Sequence, residues 1–360
     1  MRILQVINSM HTGGAEVLLL QTVQALQRLG CVQEVYLLNG AETPLLHQLR
    51  STGVPVRASR WGHVYHPGQV ADLQRQFELQ RYDLLHVHLF PAQLWAAMAR
   101  RLAGVGTPMV TTEHSTHNGR RRALLRPLDS WMYRQYEKVL CISQATEEAL
   151  WRWVPVVRER TIVVPSGIDL SRFEATGTEK PEIELSRWAG LTAVFTARFE
   201  AEKDHKTLLR AVARLPSLRL LLAGDGSRRP EAERLARDLG VADRVVFLGN
   251  RTDVPTILRS ADLYIHSVHW EGFGLAALEA MATGLPVIAS RVPGLTEVVG
   301  EAGLYFDPGN VDQLVACIRR IIVDEDLRRT MAEAARRRAK CFSIQEAARR
   351  YLEVYHEVVS

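Results

Sequence analysis

Short apolar runs rich in β-branched residues or leucine alternate with helical patterns along nearly the whole chain. In the first half, these runs predict buried strands at Ile3–Ile7, Glu34–Leu38, Leu84–His88, Met109–Thr112, Val139–Ile142 and Thr161–Val164. The same alternation begins again after residue 190. It predicts strands at Thr192–Ala197, Leu218–Ala223, Val245–Leu248, Leu263–Ile265, Pro286–Ala289 and Leu304–Phe306. Continuous apolar strands separated by helices are typical of parallel sheets that helices cover on both faces. The chain is therefore predicted to be an α/β protein with two doubly wound, Rossmann-like domains facing across a cleft.

The boundary between the two domains is predicted near residue 170. A length of 360 residues suits two domains of roughly 150–200 residues each. The run Ser166–Asp169 marks the end of a first domain over residues 1–170, and the charged stretch Glu174–Glu184 is interpreted as a linker. A second domain is predicted over residues 185–343. The chain then ends in a helical pattern over Ile344–Val358, whose periodicity alone allows packing against either domain.

Composition excludes several classes of protein. The apolar fraction of 47% and the charged fraction of 24% are ordinary for a globular protein and exclude a disordered or collagen-like chain. No stretch of about 18 residues is free of charges, so a membrane-spanning helix is not expected. The first residues lack the features of a signal peptide, and the four cysteines form no metal or disulfide framework. These observations predict a cytoplasmic protein.

The net charge of +5 is modest, and its sharpest concentration is the run of Arg120, Arg121 and Arg122. Such a run suits a phosphate group, the anionic inner face of a membrane or simply a solvated loop. No helix-turn-helix, zinc-finger or RNP-like pattern accompanies it, so a nucleic-acid partner is not expected.

Two glycines follow the first predicted strand. Gly13 and Gly14 lie between that strand and the predicted helix Ala15–Leu29. Glycines at a helix start let backbone N–H groups approach an anion where the helix dipole favours negative charge. A plain tight turn is the alternative.

A pair of basic residues follows the first strand of the second domain. Arg198 and Lys203 lie beyond the carboxyl end of Thr192–Ala197 and are suited to clamping a diphosphate. Their acidic neighbours Glu200 and Glu202 leave a surface ion-pair loop as the alternative.

Two carboxylates eight positions apart form the strongest signal. Glu271 lies in a glycine-flanked loop after Leu263–Ile265, and Glu279 lies in a helix of Ala, Leu and Met. A Glu in such an apolar helix is costly unless it is paired or hydrogen-bonded, and a sugar hydroxyl is one suitable partner. Gly272 and Gly274 leave the amides at the helix start bare, which suits phosphate or sugar oxygens.

A histidine follows a strand in the first domain. His114 comes directly after Met109–Thr112, where it is placed to hydrogen-bond a ligand, although a structural role is equally consistent. His86 and His88 alternate on one strand and are interpreted as lining the core or the cleft. No carboxylate cluster accompanies them, so no metal site is predicted.

Taken in order, these motifs resemble the family-4 retaining glycosyltransferases of GT-B fold, of the kind that build bacterial cell envelopes and exopolysaccharides. The matching residues are Gly13-Gly14-Ala15-Glu16, His114, Ser166-Gly167-Ile168-Asp169, Arg198 with Lys203, Gly224-Asp225-Gly226, Phe247-Leu248-Gly249 and the segment from Glu271 to Glu279. The resemblance spans essentially the full length of the chain.

The resemblance implies how the nucleotide sugar is bound. The second domain is expected to hold this donor, with Glu279 on the ribose hydroxyls and Glu271 on the donor sugar. Arg251 is expected beside the base, where the loop acts largely through backbone groups, and Gly13 and Gly14 are expected over the phosphates. The amides expected to hold the sugar and diphosphate are those of Gly272, Phe273, Gly274 and Leu275.

The resemblance also implies the chemistry. Arg198 and Lys203 are expected to neutralise the leaving diphosphate, so no metal ion or other cofactor is required. Transfer is expected to retain the anomeric configuration, by front-face attack through an oxocarbenium-like ion pair. His114 is expected beside the sugar and the attacking hydroxyl. Uracil is the base most common in the family, so the donor is expected to be a UDP-sugar.

On the acceptor side the sequence leaves alternatives open. The first domain is expected to bind a saccharide or polyprenyl-linked acceptor, and helix 344–360 is expected to pack back on this domain. One hypothesis places Asn118 and Arg120–Arg122 on an acceptor phosphate. Another docks the arginines on anionic lipid with help from nearby aromatic residues, namely Trp131, Tyr133, Trp151 and Trp153.

Two other classes of function remain as alternatives. A sugar-nucleotide epimerase has a similar fold, but the acid/base carboxylate array it needs is not found. A non-catalytic sugar-nucleotide binding protein is normally exported, and no signal peptide is found.

Overall fold

The computed structural model describes residues 1–11, 13–174 and 189–360. They form two compact units, of which the first comprises Met1–Ile168 with Ile344–Ser360 and the second comprises Asp169–Ser343. Each unit contains one sheet, and every pair of neighbouring strands within it is parallel. The prediction of two doubly wound parallel-sheet domains is confirmed.

The first unit has a seven-stranded sheet in the order β3-β2-β1-β4-β5-β6-β7. The chain therefore builds outward in one direction from β1 and then in the other from β4. In sheets of this kind, ligands bind beyond the carboxyl ends of the strands at the point of reversal. The strands are β1 (Arg2–Ile7), β2 (Val32–Leu37), β3 (Val56–Ala58), β4 (Leu84–His88), β5 (Met109–Glu113), β6 (Lys138–Cys141) and β7 (Thr161–Val163).

Strand β3 was not predicted from the sequence. It has only three residues, none of them buried, and it lies at the edge of the sheet. A strand this short and exposed carries neither an apolar run nor an alternating pattern. The six predicted strands are present, and their ends differ from the predicted ones by at most two residues.

Six helices of the first unit lie between its strands and bury one apolar face each. Thr43 and Ser143 begin two of these helices, where their hydroxyls accept hydrogen bonds from the amides of Leu46 and Thr146. The helices are α1 (Gly14–Arg28), α2 (Pro44–Ser51), α3 (Gln69–Leu79), α4 (Ala92–Ala103), α5 (Arg126–Tyr133) and α6 (Gln144–Trp153).

The second unit has a six-stranded sheet in the order β10-β9-β8-β11-β12-β13, with its reversal between β8 and β11. The strands are β8 (Leu191–Thr196), β9 (Leu218–Ala223), β10 (Val245–Gly249), β11 (Leu263–His266), β12 (Val287–Ser290) and β13 (Gly303–Phe306). The helices are α7 (Ser171–Glu174), α8 (His205–Ala213), α9 (Arg229–Asp238), α10 (Val254–Arg259), α11 (Leu275–Thr283), α12 (Pro293–Val299), α13 (Val311–Val323) and α14 (Glu325–Ala339).

The chain returns to the first unit in its last helix, α15 (Ile344–Val359). The amide of Ile344 donates to the carbonyl of Ile168 at 2.8 Å, and the helix packs against α1. Tyr351 and Tyr355 on its inner face are fully buried. Of the linker predicted over Glu174–Glu184, only Glu174 lies within the described residues, where it ends α7.

Across the ranges that the structure describes, no helix combines the length and apolar character needed to cross a lipid bilayer. The cytoplasmic location expected from the sequence stays a prediction.

Candidate active site

The candidate site of the second unit lies where its sheet reverses direction. Strands β8 and β11 are neighbours, so their carboxyl ends open at the same edge. Lys203 lies in the loop that follows β8, and Glu271 lies in the loop that follows β11. The two loops pair through a short antiparallel bridge between Lys203 and Val268. Residues 68 positions apart are thereby held side by side.

Lys203 and Glu271 form a close ion pair at this edge. The Lys203 ammonium donates to Oε2 of Glu271 at 2.7 Å, and the two side chains are 15% and 18% exposed. The other carboxylate oxygen of Glu271 accepts from the Gly272 amide at 3.0 Å. Burial alone raises the pKa of Glu271, but the nearby Lys203 charge and a hydrogen bond from His266 hold this pKa well below its usual range. Glu271 is therefore a fixed anion at neutral pH.

His266 is a part of the site that the sequence analysis missed. It is the last residue of β11, where the prediction ended the strand one residue too early. Its Nε2 lies 3.1 Å from Oε2 of Glu271, and the Tyr264 hydroxyl lies 3.3 Å from its Nδ1. Burial lowers the pKa of His266, so the ring is neutral and donates from Nε2 to the carboxylate. A histidine at the carboxyl end of a buried strand was the available signal, the same one that identified His114.

The loop between Glu271 and α11 depends on close backbone packing. Gly274 precedes the helix with φ of +100°, a conformation that favours glycine. Gly294, at the start of α12, faces the carbonyl oxygens of Glu271 and Gly272, which would lie 2.5 and 2.6 Å from any added Cβ. Phe273 is buried and packs edge-on against Phe342, so it has only backbone groups to offer a ligand. Leu275 begins the helix, as expected.

Glu279 lies within α11, the helix that directly follows this loop, and has a different environment. Burial raises its pKa to about 7, and the Arg172 charge lowers it only in part. Among the described residues, none donates a hydrogen bond to its carboxylate. Its negative charge, like that of Glu271, also acts on the buried Tyr264 hydroxyl. The two carboxylates therefore act on one small region of the second unit.

Arg198 and Arg251 each lie beside an acidic residue of their own segment. The Arg198 side chain is 63% exposed and lies 3.8 Å from Glu202. Arg251 follows β10 and donates two hydrogen bonds to Asp253, at 2.8 and 2.7 Å. The Arg251 guanidinium is therefore engaged, and the contact of this loop with a base stays a prediction.

His114 lies in the first unit, beside a cavity of about 360 Å³. It directly follows β5, and Asn118 and Arg120 line the same cavity. Burial lowers the pKa of His114 to about 4, so the imidazole is neutral at physiological pH. The structure thus brings three of the predicted residues of this unit to one cavity.

The three adjacent arginines have different surroundings, and their contact with an acceptor phosphate or with anionic lipid stays a prediction. Arg120 pairs with the buried Asp129 and stacks over the Phe90 ring at 3.6 Å. Arg121 lies 3.7 Å from Glu113 and donates to the backbone carbonyl of Thr116. Only the third, Arg122, is exposed to solvent. The reason is that Asp129 and Glu113 are buried carboxylates, and a buried charge requires a partner.

The aromatic residues that were linked to these arginines have structural roles as well. Tyr133 is buried, and Trp131 and Trp153 pack against the core of the first unit. The Trp151 indole donates to Thr161 at 2.8 Å.

Gly14 is the first residue of α1 in the first unit, one residue earlier than predicted, and Gly13 directly precedes it. Asn8, which directly follows β1, was not among the residues that the sequence analysis singled out. Its side chain donates to the carbonyl of Phe90 at 2.8 Å and accepts from the amide of Ala92 at 3.1 Å, which ties β1 to the turn after β4. Gly13, Gly14 and His114 lie in one unit and Lys203 and Glu271 in the other, so their convergence on one ligand stays a prediction.

Among the described residues, no group of three or more His, Cys, Asp or Glu side chains is arranged to hold a metal ion. The expectation that the chemistry needs no metal stays a prediction.

Comparison with known families covers both halves of the chain. Residues 12–172 match Glycosyltransferase Family 4, and residues 179–338 match Glycosyl transferases group 1. The chain is 33% identical to D-inositol 3-phosphate glycosyltransferase of Salinispora arenicola, over 78% of this chain and 69% of that protein. It is 31% identical to 2-deoxystreptamine glucosyltransferase of Streptomyces kanamyceticus, over 67% of this chain and 68% of that protein.

Solved structures give the same result for the fold. Anabaena Alr3699/HepE in complex with UDP-glucose has a TM-score of 0.88 at 25% identity and covers 99% of this chain and 100% of its own. Sucrose-phosphate synthase from Thermosynechococcus elongatus has a TM-score of 0.84 at 21% identity, with coverage of 99% and 98%. The two-sheet architecture is thus that of a GT-B glycosyltransferase. This chain belongs to glycosyltransferase family 4, as its motifs indicated.

Proposed function

We propose that this protein transfers a hexose-type sugar from a nucleotide diphosphate sugar to a hydroxyl of a saccharide or lipid-linked acceptor, with retention at the anomeric carbon. The observation that supports this proposal most is the Lys203–Glu271 ion pair, held by His266 at the reversal point of a parallel sheet. A fixed cation and a fixed anion side by side suit a ligand that carries both phosphate charge and sugar hydroxyls.

Lys203 and Arg198 are proposed to bind the diphosphate as it leaves. An ammonium has three donors, and one of those of Lys203 is used by Glu271. The exposed ion pair of Arg198 with Glu202 contributes little to stability, so the guanidinium exchanges partners at low cost. Negative charge grows on the diphosphate in the transition state, and fixed cations lower the barrier most where charge develops.

The two carboxylates are proposed to bind different parts of the donor. Glu271 accepts hydrogen bonds from hydroxyls of the transferred sugar, and Glu279 accepts them from the ribose. The amides at the start of α11 are proposed to hold sugar and phosphate oxygens. Burial of Glu279 without a described donor is the support for this role, because such a carboxylate gains most when a ligand hydroxyl reaches it.

The reaction is proposed to proceed by front-face attack without a metal ion, with the leaving diphosphate accepting the acceptor proton. The donor is proposed to be a UDP-sugar, because Anabaena Alr3699/HepE, a structural relative at 25% identity, is solved in complex with UDP-glucose. Turnover that persists in excess EDTA supports the metal-independent route, and loss that Mg²⁺ restores contradicts it.

The acceptor is proposed to bind at the cavity of the first unit, beside His114, Asn118 and Arg120. An acceptor phosphate there is the first hypothesis. Contact with an anionic membrane is the second, and the exposed residues available for it are Arg122, Leu124 and Arg126. Liposome flotation should therefore use an Arg122→Ala, Arg126→Ala variant, since replacement of Arg120 or Arg121 removes a buried ion pair. Equal weak binding by variant and wild type argues against the membrane hypothesis.

One assay separates the classes of function. The protein is incubated with UDP-, GDP- and ADP-sugars, with and without saccharide acceptors, and nucleoside diphosphate release is measured. Release that depends on an acceptor supports a transferase. Epimer formation supports an epimerase, and binding without either product supports a non-catalytic binding protein.

A further inference from the structure

A chain of buried hydrogen bonds leads from the core of the first unit to His114. Its members are Gln33 on β2, Gln5 on β1 and His88 on β4, which are all buried. These strands are neighbours in the sheet, so the side chains form a row across it. No charged group is a member of this row, and nothing in the reaction proposed above uses it.

The first link fixes the orientation of the two glutamines. Gln33 donates from Nε2 to the backbone carbonyl of Val23 at 2.8 Å, and a carbonyl oxygen can only accept. The other amide atom of Gln33, Oε1, must then be the acceptor for Nε2 of Gln5, at 3.1 Å. The remaining amide atom of Gln5 is its Oε1, which lies 3.0 Å from Nε2 of His88.

The link from Gln5 to His88 determines which nitrogen of the His88 ring carries the proton. Because Oε1 of Gln5 accepts, Nε2 of His88 carries a proton. Burial lowers the pKa of His88 well below its usual value, so the ring is neutral and has only this one proton. Its Nδ1 is therefore an acceptor, and this atom lies 3.4 Å from Nε2 of His114.

We propose that Gln33, Gln5 and His88 are positioning residues that hold His114 in its Nε2–H tautomer, with the Nδ1 lone pair available to accept a hydrogen bond from a ligand hydroxyl. A neutral imidazole has one donor and one acceptor nitrogen, and which is which depends on the partner of the other nitrogen. The link of 3.4 Å is the longest in the row. In the reverse tautomer, two ring lone pairs would face each other across it.

Other polar groups near the row do not change this assignment. His86 lies beside His88, with ring centroids 4.0 Å apart, but its nitrogens are used by the hydroxyls of Tyr355 and Thr112. Glu113 precedes His114 and is bound by Tyr133 and Arg121.

The consequence for function rests on the function proposed above. A hydrogen-bond acceptor beside the transferred sugar or the attacking hydroxyl binds the O–H group, whereas the other tautomer would present a competing donor. The row therefore acts on specificity and rate without touching the ligand.

The test measures the tautomer directly, so it does not depend on activity. The protein is labelled with ¹⁵N-histidine, and two-bond ¹H–¹⁵N correlations are recorded at pH 7.5, with His114→Gln identifying the signals of His114. We expect a protonated Nε2 and an unprotonated Nδ1 in the wild type. A protonated Nδ1 of His114 in the wild type overturns the proposal. This measurement does not require the protein to turn over a nucleotide sugar.

Gln5→Met removes the acceptor oxygen while nearly keeping the shape of the side chain. We expect the Nδ1–H tautomer of His114 to become populated and kcat to fall about tenfold, with the KM for the donor changed less than twofold. Gln76→Met is the matched control, because Gln76 is a buried glutamine of the same unit that donates to Glu34 and Tyr82 instead.

Gln76→Met should keep the wild-type tautomer of His114. If its kcat falls, its KM for the donor and its stability should change as well. If Gln5→Met matches Gln76→Met in tautomer and kinetics, the proposal is wrong. If Gln5→Met does not fold, Gln33→Met removes the orienting link one step further away and is expected to shift the tautomer in the same direction.

Discussion

Glu271 and Glu279 have the same side chain, yet their surroundings shift their pKa values in opposite directions. Lys203 and His266 hold the first as a carboxylate, while burial raises the pKa of the second to about 7. The sequence identified both residues because a Glu in an apolar segment is visible locally. It could not distinguish their charge states, because these depend on residues such as Lys203, which is 68 positions away from Glu271.

Replacing a leaving-group cation should slow the reaction. We expect Lys203→Ala or Arg198→Ala to lower kcat by roughly two to four orders of magnitude, the range for loss of one electrostatic stabiliser. Initial rates of nucleoside diphosphate release measure the effect. Lys206→Ala is the matched control, since Lys206 forms an exposed ion pair with Glu231, and it should retain wild-type turnover. Near-normal turnover in both variants would contradict the proposed role.

Glu279 should make the stability of the protein depend on pH. Its pKa is raised from 4.5 to about 7 on folding, so the folded state binds the proton more tightly than the unfolded state. Wild type should therefore lose about 1–3 kcal/mol of unfolding free energy relative to Glu279→Gln as pH rises from 4.5 to 7. Urea unfolding of both proteins across this range measures the difference. A difference that stays constant with pH means that the carboxyl group titrates normally.

At the scale of elements, the sequence predicted strands well and loop contacts poorly. Apolar runs located twelve of the thirteen strands to within one or two residues, because a buried parallel strand must be continuously apolar. The sequence could not show the partners of Arg120 and Arg121 in the loop after His114, because tertiary packing determines them. Gly294 was missed for the same reason: nothing in its own segment shows which backbone it approaches.

Adding one methyl group at Gly294 should disturb the Glu271 loop. The Cβ of Gly294→Ala would lie 2.5 Å from the Glu271 carbonyl oxygen, so α12 or the loop must move. We expect kcat/KM to fall about 10- to 100-fold, since small displacements of positioning groups cost rates of this order. The measurement is steady-state kinetics with thermal unfolding alongside. Gly106→Ala is the control, because open space surrounds Gly106, and it should behave as wild type. Equal kinetics in the two variants would show that the loop accommodates the methyl group.

For the whole molecule, the repeated alternation of strands and helices was enough to predict two sheets. The partner of the last helix was not readable from its periodicity, because an amphipathic face fits any apolar surface of the right shape. In the structure α15 belongs to the first unit, where Tyr355 hydrogen-bonds His86 and Lys138 pairs with Glu357.

Removal of α15 should therefore destabilise the first unit selectively. Truncation after Ser343 exposes the core that Ile344, Tyr351 and Tyr355 cover, and burial of each large side chain contributes about 1.5–3 kcal/mol. Hydrogen exchange should show lost protection in β1, β4 and α1, with smaller changes in β8–β13. Deletion of Ser360 alone is the control. Uniform loss of protection in both units would contradict this assignment.

The hydrogen bond between Ile168 and Ile344 means that the entire second unit enters and leaves the first at neighbouring points. The second unit is therefore an insertion into the first unit, whose residues 168 and 344 on either side of the insertion are hydrogen-bonded to each other. Chimeras with other members of the family should thus be joined at residues 168 and 344, which exchanges one complete sheet for another and leaves the first unit intact. A fusion at a single junction would instead separate α15 from the sheet it covers.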